Sequence, residues 1–266
     1  MISNTLLNTV FDPVGVSCQD ELDGNILLDD YQYPVGSITV NIRIINGLNG
    51  PLPLEIGYLI DCNRLMLENH LRLTGPLPQT MGNMTGLFSV ALLVNGPKFG
   101  GELPSSLFRL KNLNTIHIQD NLRKNWSLPS NVRVSDDTQL ERLLLVRNNF
   151  SGEILSWIAK LKQLQTLDLS MNNFQGAIPE AIGDLSSVKY LNLMGNNLTG
   201  AIPSSLGTLP AIEVLNLGNN ALQGELPAPI GNLRTLQLLD VGSNMLTSTI
   251  PSSFTNLESL SKYTPI

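Results

Sequence analysis

The chain has 266 residues, of which 42% are hydrophobic and 14% charged, so it can bury a large core while most of its polar surface stays uncharged. Its formal net charge of -6 opposes binding to a phosphate backbone, and we therefore expect no nucleic-acid partner. No apolar run approaches the ~18 residues that cross a bilayer, so the sequence predicts no membrane span within this segment.

The N-terminal segment, residues 1–37, differs from the rest of the chain and is its most acidic part. Its carboxylates cluster at Asp20, Glu21, Asp23, Asp29 and Asp30. They lack the spacing of a calcium loop, which favours a solvated edge, and we expect no metal and no cofactor. The opening MISNTLLNTVF has neither the basic nor the apolar region of a secretory signal peptide, so we expect no signal peptide there.

Residues 38–266 consist of repeats marked by an "IP" or "LP" element. The last four are exactly periodic at 24 residues, and their prolines are Pro179, Pro203, Pro227 and Pro251. Looser copies, 25 or 26 residues apart, stand upstream at Pro53, Pro78, Pro104 and Pro129, with Leu155 in the next Pro position. The longer spacing indicates insertions. We count about nine repeats and a partial tenth, and such units stack because one coil cannot fold alone.

The pattern of each repeat predicts a short strand followed by a turn. In LQTLDLSMN, Leu167 and Leu169 are two residues apart and point into the core, so the residues between them point outward. Apolar residues spaced by three in EAIGDLSSV predict a 3₁₀ turn or short helix on the opposite side. In the coil around SVALLVNGPKFGGELP the register stays open, with either Leu92 or Leu93 as the first strand residue.

An Asn recurs five residues after the first strand leucine, followed by a turn glycine. The asparagines are Asn121, Asn148, Asn172, Asn196, Asn220 and Asn244, and the glycines are Gly152, Gly176, Gly200 and Gly224. A buried amide there can bond the main-chain groups that are freed where the chain leaves the strand. We predict a structural Asn ladder.

The string LxxLxxLxLxxNxLxGxIPxxLGxL resembles the plant-type leucine-rich-repeat family of receptor-like kinases, receptor-like proteins and polygalacturonase-inhibiting proteins. The resemblance implies an α/β repeat solenoid, a curved horseshoe with a parallel β-sheet on the concave face and 3₁₀ or short helical turns on the convex face. It also makes residues 1–37 a divergent N-terminal cap, because FDPVGVSC resembles the family's cap with its Trp and first Cys missing. Cys18 thus lacks its cap partner, and we expect Cys62 to be a buried apolar residue rather than its disulfide partner.

Ligand recognition is expected where the repeat leaves residues free, on the outward side of the concave strands. The candidates are Thr115, His117, Gln119, Arg142, Leu144, Val146, Thr166, Asp168, Ser170, Met171, Tyr190, Asn192, Met194, Val214, Asn216, Leu238 and Asp240. They form a mixed polar and apolar strip suited to a protein or peptide.

The irregular stretch DNLRKNWSLPSNVRVSDDTQL holds the chain's basic and aromatic cluster, with Arg123, Lys124, Trp126 and Arg133. It predicts either a contact loop for an acidic ligand or glycan, or a Trp that packs across the turn; we favour packing.

Four sequons make Asn83, Asn125, Asn149 and Asn197 glycosylation candidates and favour an extracellular or cell-surface location, as part of a longer chain. The sequons at Asn149 and Asn197 are weaker evidence for glycosylation, because the repeat consensus itself contains their sequence. An intracellular location stays open.

We expect no enzyme. His70 occupies the ladder position or its neighbour, and no catalytic or metal motif appears. The resemblance implies a non-enzymatic recognition module that binds a protein, peptide or glycan on its concave face, with a co-receptor as a further partner, in a receptor-like protein or kinase. A soluble inhibitor of a secreted polysaccharide hydrolase and an intracellular scaffold remain alternatives.

Overall fold

A computed structural model describes residues 40–45, 47–94, 96–247 and 250–265. The chain divides into two compact units, Met1–Gln139 and Leu140–Ile266. The predicted N-terminal cap, residues 1–37, and its Cys18 lie outside the described residues.

The first unit contains a parallel sheet whose described strands run in chain order. They are β1 (Val40–Ile45), β3 (Cys62–Glu68), β5 (Ser89–Leu93) and β7 (Thr115–Gln119). Ile42, Leu65, Val90 and Ile116 lie opposite one another in register and are almost fully buried. Val90 and Leu92 therefore point inward. The expectation that Leu92 or Leu93 begins this strand pattern is wrong, because pairing with Leu65 makes Val90 its first inward residue.

A second set of strands and the 3₁₀ turns complete the coils of the first unit. The strands are β2 (Asn49–Pro51), β4 (Arg72–Gly75), β6 (Lys98–Phe99) and β8 (Trp126–Ser127); the turns are Leu54–Tyr58, Gln79–Asn83 and Ser105–Arg109. Trp126 is fully buried and packs edge-on against Phe99, with ring centroids 5.3 Å apart. The structure thus assigns Trp126 to the core, away from the exposed Arg123 and Lys124.

The second unit repeats one pattern with a constant register. Its first sheet contains β9 (Arg142–Val146), β11 (Thr166–Asp168), β13 (Tyr190–Asn192), β15 (Val214–Asn216), β17 (Leu238–Asp240) and β19 (Lys262–Thr264). Its second sheet contains β10 (Phe150–Glu153), β12 (Asn173–Ala177), β14 (Asn197–Ala201), β16 (Ala221–Gly224) and β18 (Met245–Leu246). The 3₁₀ turns are Ser156–Lys160, Glu180–Asp184, Ser204–Thr208, Ala228–Asn232 and Ser252–Asn256.

Each 3₁₀ turn begins directly after the Pro or Leu of the repeat. The Pro ring fixes φ and the Pro carbonyl accepts the first bond of the turn, as in Ile182 N to Pro179 O at 3.0 Å. The turns of neighbouring coils approach closely at a glycine: a Cβ on Gly207 would lie 2.3 Å from the main-chain carbonyl of Pro229. Glycine is used there because no side chain fits between the coils.

The described ladder asparagines join one coil to the next. Asn196 Oδ1 accepts the N–H of Phe174 in the preceding coil, while Asn196 Nδ2 donates to the carbonyls of Leu169, Leu193 and Met194. Asn172, Asn220 and Asn244 make the same set of contacts, and Asn121 also bonds the main chain of the preceding coil. Asn148 donates to the Val146 carbonyl.

His70 takes the place of the ladder amide in its coil. It is fully buried, its Nδ1 accepts the N–H of Leu48 at 3.2 Å, and its Nε2 lies 3.0 Å from the carbonyl of Ile44. These partners require a neutral ring with the proton on Nε2. Burial lowers the pKa of His70 to about 4, outweighing the opposing effects of the Ile44 bond and Glu68.

The predicted fold class is confirmed within each unit: parallel strands on one side, 3₁₀ turns on the other, and a leucine core between them. Leu167 and Leu169, predicted to point inward, are fully buried.

Candidate ligand-binding face

We call the outward-facing surface of the first sheet in each unit its strand face. In the first unit it carries the predicted Thr115, His117 and Gln119, all half-buried. In the second unit it carries the predicted residues Arg142, Leu144, Val146, Thr166, Asp168, Ser170, Met171, Tyr190, Asn192, Met194, Val214, Asn216, Leu238 and Asp240. The regular register therefore arranges the second set in rows that cross the strands.

The central row of the second strand face is Asp168, Asn192, Asn216 and Asp240, each opposite the next in register. In every case the side-chain Oδ1 accepts the main-chain N–H two residues later, at 3.0 to 3.1 Å. This local bond holds the carboxylates and amides in one orientation and closes the end of each strand. We call these four residues the Asx row.

Side chains of neighbouring coils link part of this row into a network. Asn192 Nδ2 donates to Asp168 Oδ2 at 3.3 Å and to the hydroxyl oxygen of Tyr190 at 3.1 Å, and Ser170 Oγ donates to Asp168 Oδ1 at 2.6 Å. Asp168, Ser170 and Asn192 are consequently almost inaccessible, at 9%, 5% and 8% exposure. Sequence reasoning gave them the same role as their neighbours, but their own hydrogen bonds make them the support of this face.

Tyr190 completes the network from the adjoining row. Burial, and then the negative charge and hydrogen bond of Asp168, raise the pKa of the Tyr190 hydroxyl. The phenol lies beside a carboxylate, and the Tyr190 side chain is half-buried, so part of its ring stays accessible. It can offer an approaching ligand an aromatic surface held in one position.

Apolar side chains flank the Asx row on both sides. Tyr190, Val214 and Leu238 form one flanking row in register, each half-buried. On the other side Met171 is 50% exposed, and Met194 lies with its sulfur 3.6 Å from Asn216 Nδ2. A segment lying across the strands would meet the half-buried Asn216 and Asp240 in the middle and apolar contacts at both sides.

Met171 has an unfavourable backbone conformation for its residue type. Its φ is 57°, in the left-handed region where the next coil has Gly195. A Cβ on Gly195 would lie 2.6 Å from Met171 Sδ, so the glycine leaves room for the thioether to lie over the neighbouring coil. The large, flexible Met171 side chain is thus exposed at a position whose backbone conformation would suit glycine better.

The first strand face is more polar and is held by bonds among its own side chains. The His117 Nε2 lies 3.0 Å from Gln119 Oε1, and Gln119 Nε2 donates to Asp120 Oδ2 at 2.9 Å. Arg43 makes a two-pronged ion pair with Glu68, at 3.2 and 3.1 Å. Sequence reasoning missed Arg43 and Glu68, although their outward positions on β1 and β3 could have indicated them.

The four sequon asparagines differ in their surroundings. Asn83, Asn125 and Asn197 are exposed, whereas Asn149 is half-buried and its side-chain oxygen accepts a bond from the Asn173 amide. A sugar attaches to the amide nitrogen, so at Asn149 the partial burial of the side chain is what limits access.

Reactive groups are few in the described part of the chain. Within it, no cluster of three or more His, Cys, Asp or Glu is placed to hold a metal ion. Cys62 is a free, buried thiol whose pKa burial raises to about 12, and its Sγ donates to the Arg64 carbonyl. The described residues also contain no helix long and apolar enough to cross a membrane.

Comparison with known proteins identifies the repeat. Leucine-rich-repeat family models match residues 138–198, 211–233 and 235–257. No curated protein matches the sequence. Among solved structures, the plant peptide hormone receptor RGFR1 in complex with RGF2 is 31% identical with a TM-score of 0.65, covering 82% of this chain and 38% of that one.

Two further receptor structures are similar. The PEPR1–AtPEP1 structure is 30% identical with a TM-score of 0.70, covering 84% of this chain and 31% of that one. The Arabidopsis receptor kinase HAESA, in complex with the peptide hormone IDA and the co-receptor SERK1, is 27% identical with a TM-score of 0.67, covering 85% of this chain and 36% of that one. The chain thus spans about a third of the length of these structures.

Proposed function

Because the chain is a leucine-rich-repeat protein whose fold is similar to plant receptor ectodomains, we propose that it is a non-enzymatic recognition module that binds a peptide or protein ligand on its strand face. In this proposal it acts outside the cell or at the cell surface, as part of a receptor-like protein or kinase. Two of the similar structures hold a peptide hormone or are named as a receptor for one, and one also holds a co-receptor.

The observation that carries the proposal is the layout of the second strand face. In the Asx row, Asn216 and Asp240 keep accessible polar groups aligned in register, and Tyr190, Val214, Leu238 and Met171 present apolar surface beside the row. An extended peptide needs both kinds of contact, since apolar anchors supply affinity and fixed polar groups select orientation. Because the polar groups are already held by their own hydrogen bonds, little side-chain conformational entropy is lost on binding.

The direct test places charge on this face. Linear peptides are first selected from a displayed random library for binding to the wild-type chain. Calorimetry then compares their affinity for the wild type with their affinity for the double variant Met171→Asp, Tyr190→Asp. We expect binding to weaken by roughly tenfold or more, because two aligned contacts are lost. The matched control, Ser204→Asp with Asn232→Asp, adds the same charge at exposed positions of the 3₁₀ turns and should bind as the wild type does.

A folded strand-face variant, with an unchanged circular dichroism spectrum and midpoint of unfolding, that binds the selected peptides as tightly as the wild type would overturn the proposal. Equal weakening by the control pair would also contradict it, since the effect would then be general charge repulsion.

The proposed location has its own test. Expressed through a plant secretory pathway, the chain should carry glycans at the exposed Asn83, Asn125 and Asn197, and less at Asn149, whose side chain is half-buried. Mass spectrometry of the glycopeptides measures each site. Full occupancy of Asn149 with none at Asn197 would contradict this ranking.

A further inference from the structure

Insertions in the first unit lie between the ladder residue and the second sheet. In the second unit the buried Phe174 follows Asn172 by two residues. In the first unit the buried Leu73 follows His70 by three residues, and the buried Trp126 follows Asn121 by five. The extra residues serve neither the ladder nor the core, so the fold leaves their composition free.

Between the ladder position and the buried residue of the second sheet, all three coils share one composition. Each contributes an apolar residue followed at once by a cation. The pairs are Leu71–Arg72, Pro97–Lys98 and Leu122–Arg123, with Lys124 next to the last. At the position directly after the ladder residue, three coils of the second unit have Asn149, Asn173 and Asn197, and the other two have Ala221 and Met245. A purely structural edge can therefore be built from amides, and the leucines of the first unit are not required for folding.

The apolar residues meet in space. Leu71, Pro97, Leu122 and Arg123 line an open groove of about 400 Å³. Leu71 is 65% exposed and Leu122 is 54% exposed, although both are large aliphatic residues. Exposed leucines that adjoin across coils form a continuous apolar floor, which a partner can cover with a gain in free energy.

Cations adjoin this groove. Arg123 lines it, and the exposed Arg72, Lys98 and Lys124 directly follow Leu71, Pro97 and Arg123 in the chain; we call these four residues the rim cations. The Lys124 side chain passes Gly100, within about 3.1 Å of the position of a Cβ there. The salt bridges Arg43–Glu68 and Lys111–Asp137 use none of the rim cations. The carboxylate of Asp120 accepts a hydrogen bond from Gln119. A basic rim is distinctive in a chain of net charge -6.

We propose that this groove docks an acidic segment of a partner protein, with one aliphatic side chain of leucine size inserted between flanking Asp or Glu residues. The leucine covers the floor formed by Leu71, Pro97 and Leu122, and the flanking carboxylates face Arg123 and the other rim cations. The apolar floor favours this occupant over a purely anionic one, and the cations favour it over an uncharged apolar one. This site is independent of the second strand face and adds a second contact surface to the proposed module.

The test uses a synthetic fluorescein-labelled peptide of sequence Glu-Asp-Asp-Leu-Leu-Asp-Glu, titrated with the whole chain and followed by fluorescence anisotropy. We expect saturable binding that Arg123→Glu with Lys124→Glu weakens by roughly tenfold or more, and that Leu122→Ser weakens severalfold. The matched control is Lys189→Glu with Arg234→Glu, which makes the same charge change at exposed cations of the second unit and should bind the peptide more tightly than the groove variant does.

Two further arms identify what the groove recognises. Replacing both leucines of the peptide with serine should abolish saturation, and the strand-face pair Met171→Asp, Tyr190→Asp should weaken binding no more than the cation control does. Undiminished binding to a folded Arg123→Glu, Lys124→Glu variant, or no saturable binding of the peptide to the wild type, overturns the proposal. Concentration-dependent dimers in sedimentation that this variant abolishes would also overturn it, by making a second copy of the chain the occupant.

Discussion

The two units build the same kind of coil, but the second repeats it at a constant length and the first carries insertions. In the second unit the 24-residue period brings Leu167, Leu191, Leu215 and Leu239 into one register, and a side chain in one coil predicts its counterpart in the next. In the first unit the period is 25 or 26 residues, and the surplus lies where it disturbs neither the inward strand residues nor the ladder. The positions that recur in every coil are those that stability requires, and the inserted positions are open to other uses.

The difference is sharpest at the strand ends. In the second unit the Asx row and the ladder use side-chain amides and carboxylates to close the main chain. In the first unit His70 closes the corresponding position with an imidazole, and Leu71 beyond it is exposed. Substitutions at these positions should separate the contacts that the repeat requires from those that it tolerates.

The largest effect is expected from the ladder of the regular unit. Asn196→Ala leaves the Phe174 N–H and several carbonyls buried without their partner. At about 1–3 kcal/mol for each unpaired group, the free energy of unfolding should fall by roughly 4 kcal/mol. Chemical denaturation measures it. The adjacent Asn197→Ala, at an exposed position, serves as the control and should stay within about 0.5 kcal/mol of the wild type. Equal losses from the two variants would show that the ladder contacts are not special.

The imidazole of the first unit should make stability depend on pH. Burial lowers the pKa of His70 in the folded chain to about 4, against 6.5 ordinarily, so the neutral ring is favoured by folding. Between these values the unfolded chain binds a proton that the folded chain does not, and stability is lost as the pH falls from 6.5 towards 4. The full loss from this group approaches about 3 kcal/mol.

His70→Asn tests this by restoring the amide of the regular ladder. The free energy of unfolding at pH 7 and pH 4.5 should differ less in His70→Asn than in the wild type. His117→Asn keeps His70 and is expected to retain the wild-type difference. An unchanged pH dependence in His70→Asn would contradict the assignment.

A smaller effect is expected where the turns pack together. Gly207→Ala places a Cβ against the main chain of Pro229, which must move, and overpacking of this kind costs about 1–3 kcal/mol. Thermal unfolding should show a lower midpoint. Thr208→Ala, at the exposed neighbouring position, is the comparison, and it should cost less than Gly207→Ala. If Gly207→Ala is as stable as the wild type, the close approach of coils at the turns is not restrictive.

The smallest effect is expected from the surface ion pair of the irregular unit. Lys111 and Asp137 lie 2.7 Å apart, and both side chains are about two-thirds exposed. Their attraction raises the pKa of Lys111 and lowers that of Asp137, but solvent screens the pair. Asp137→Asn should leave the midpoint of unfolding unchanged within error, at low and high salt alike. A clear loss at low salt would mean that this irregular stretch depends on the pair.

Sequence alone predicted the features that are repeated. The spacing of Leu167 and Leu169 indicated the strands, and the recurrence of Asn172 and Asn196 indicated the ladder, because each position has one physical solution in every coil. It failed at the strand Ser89–Leu93, where five consecutive apolar residues from Val90 leave the register ambiguous until a neighbouring strand is paired.

The strand face was predictable in position but not in accessibility. Alternation indicated that Asp168 and Asn192 point outward, yet it contains no information about the bonds between coils that cover them. The groove at Leu71 and Leu122 escaped prediction for a related reason: the two residues adjoin only when coils with insertions of different length are stacked.

The ladder bonds have a direction, and this has a consequence for synthesis on the ribosome. In the second unit, the N–H of Phe174 is accepted by Asn196 and that of Leu198 by Asn220, in each case a residue 22 positions later in the chain. A coil that has just left the exit tunnel lacks its acceptor until almost one further repeat has been translated. Each new coil therefore completes its predecessor, so that assembly proceeds from the N-terminus with a lag of one repeat behind the ribosome.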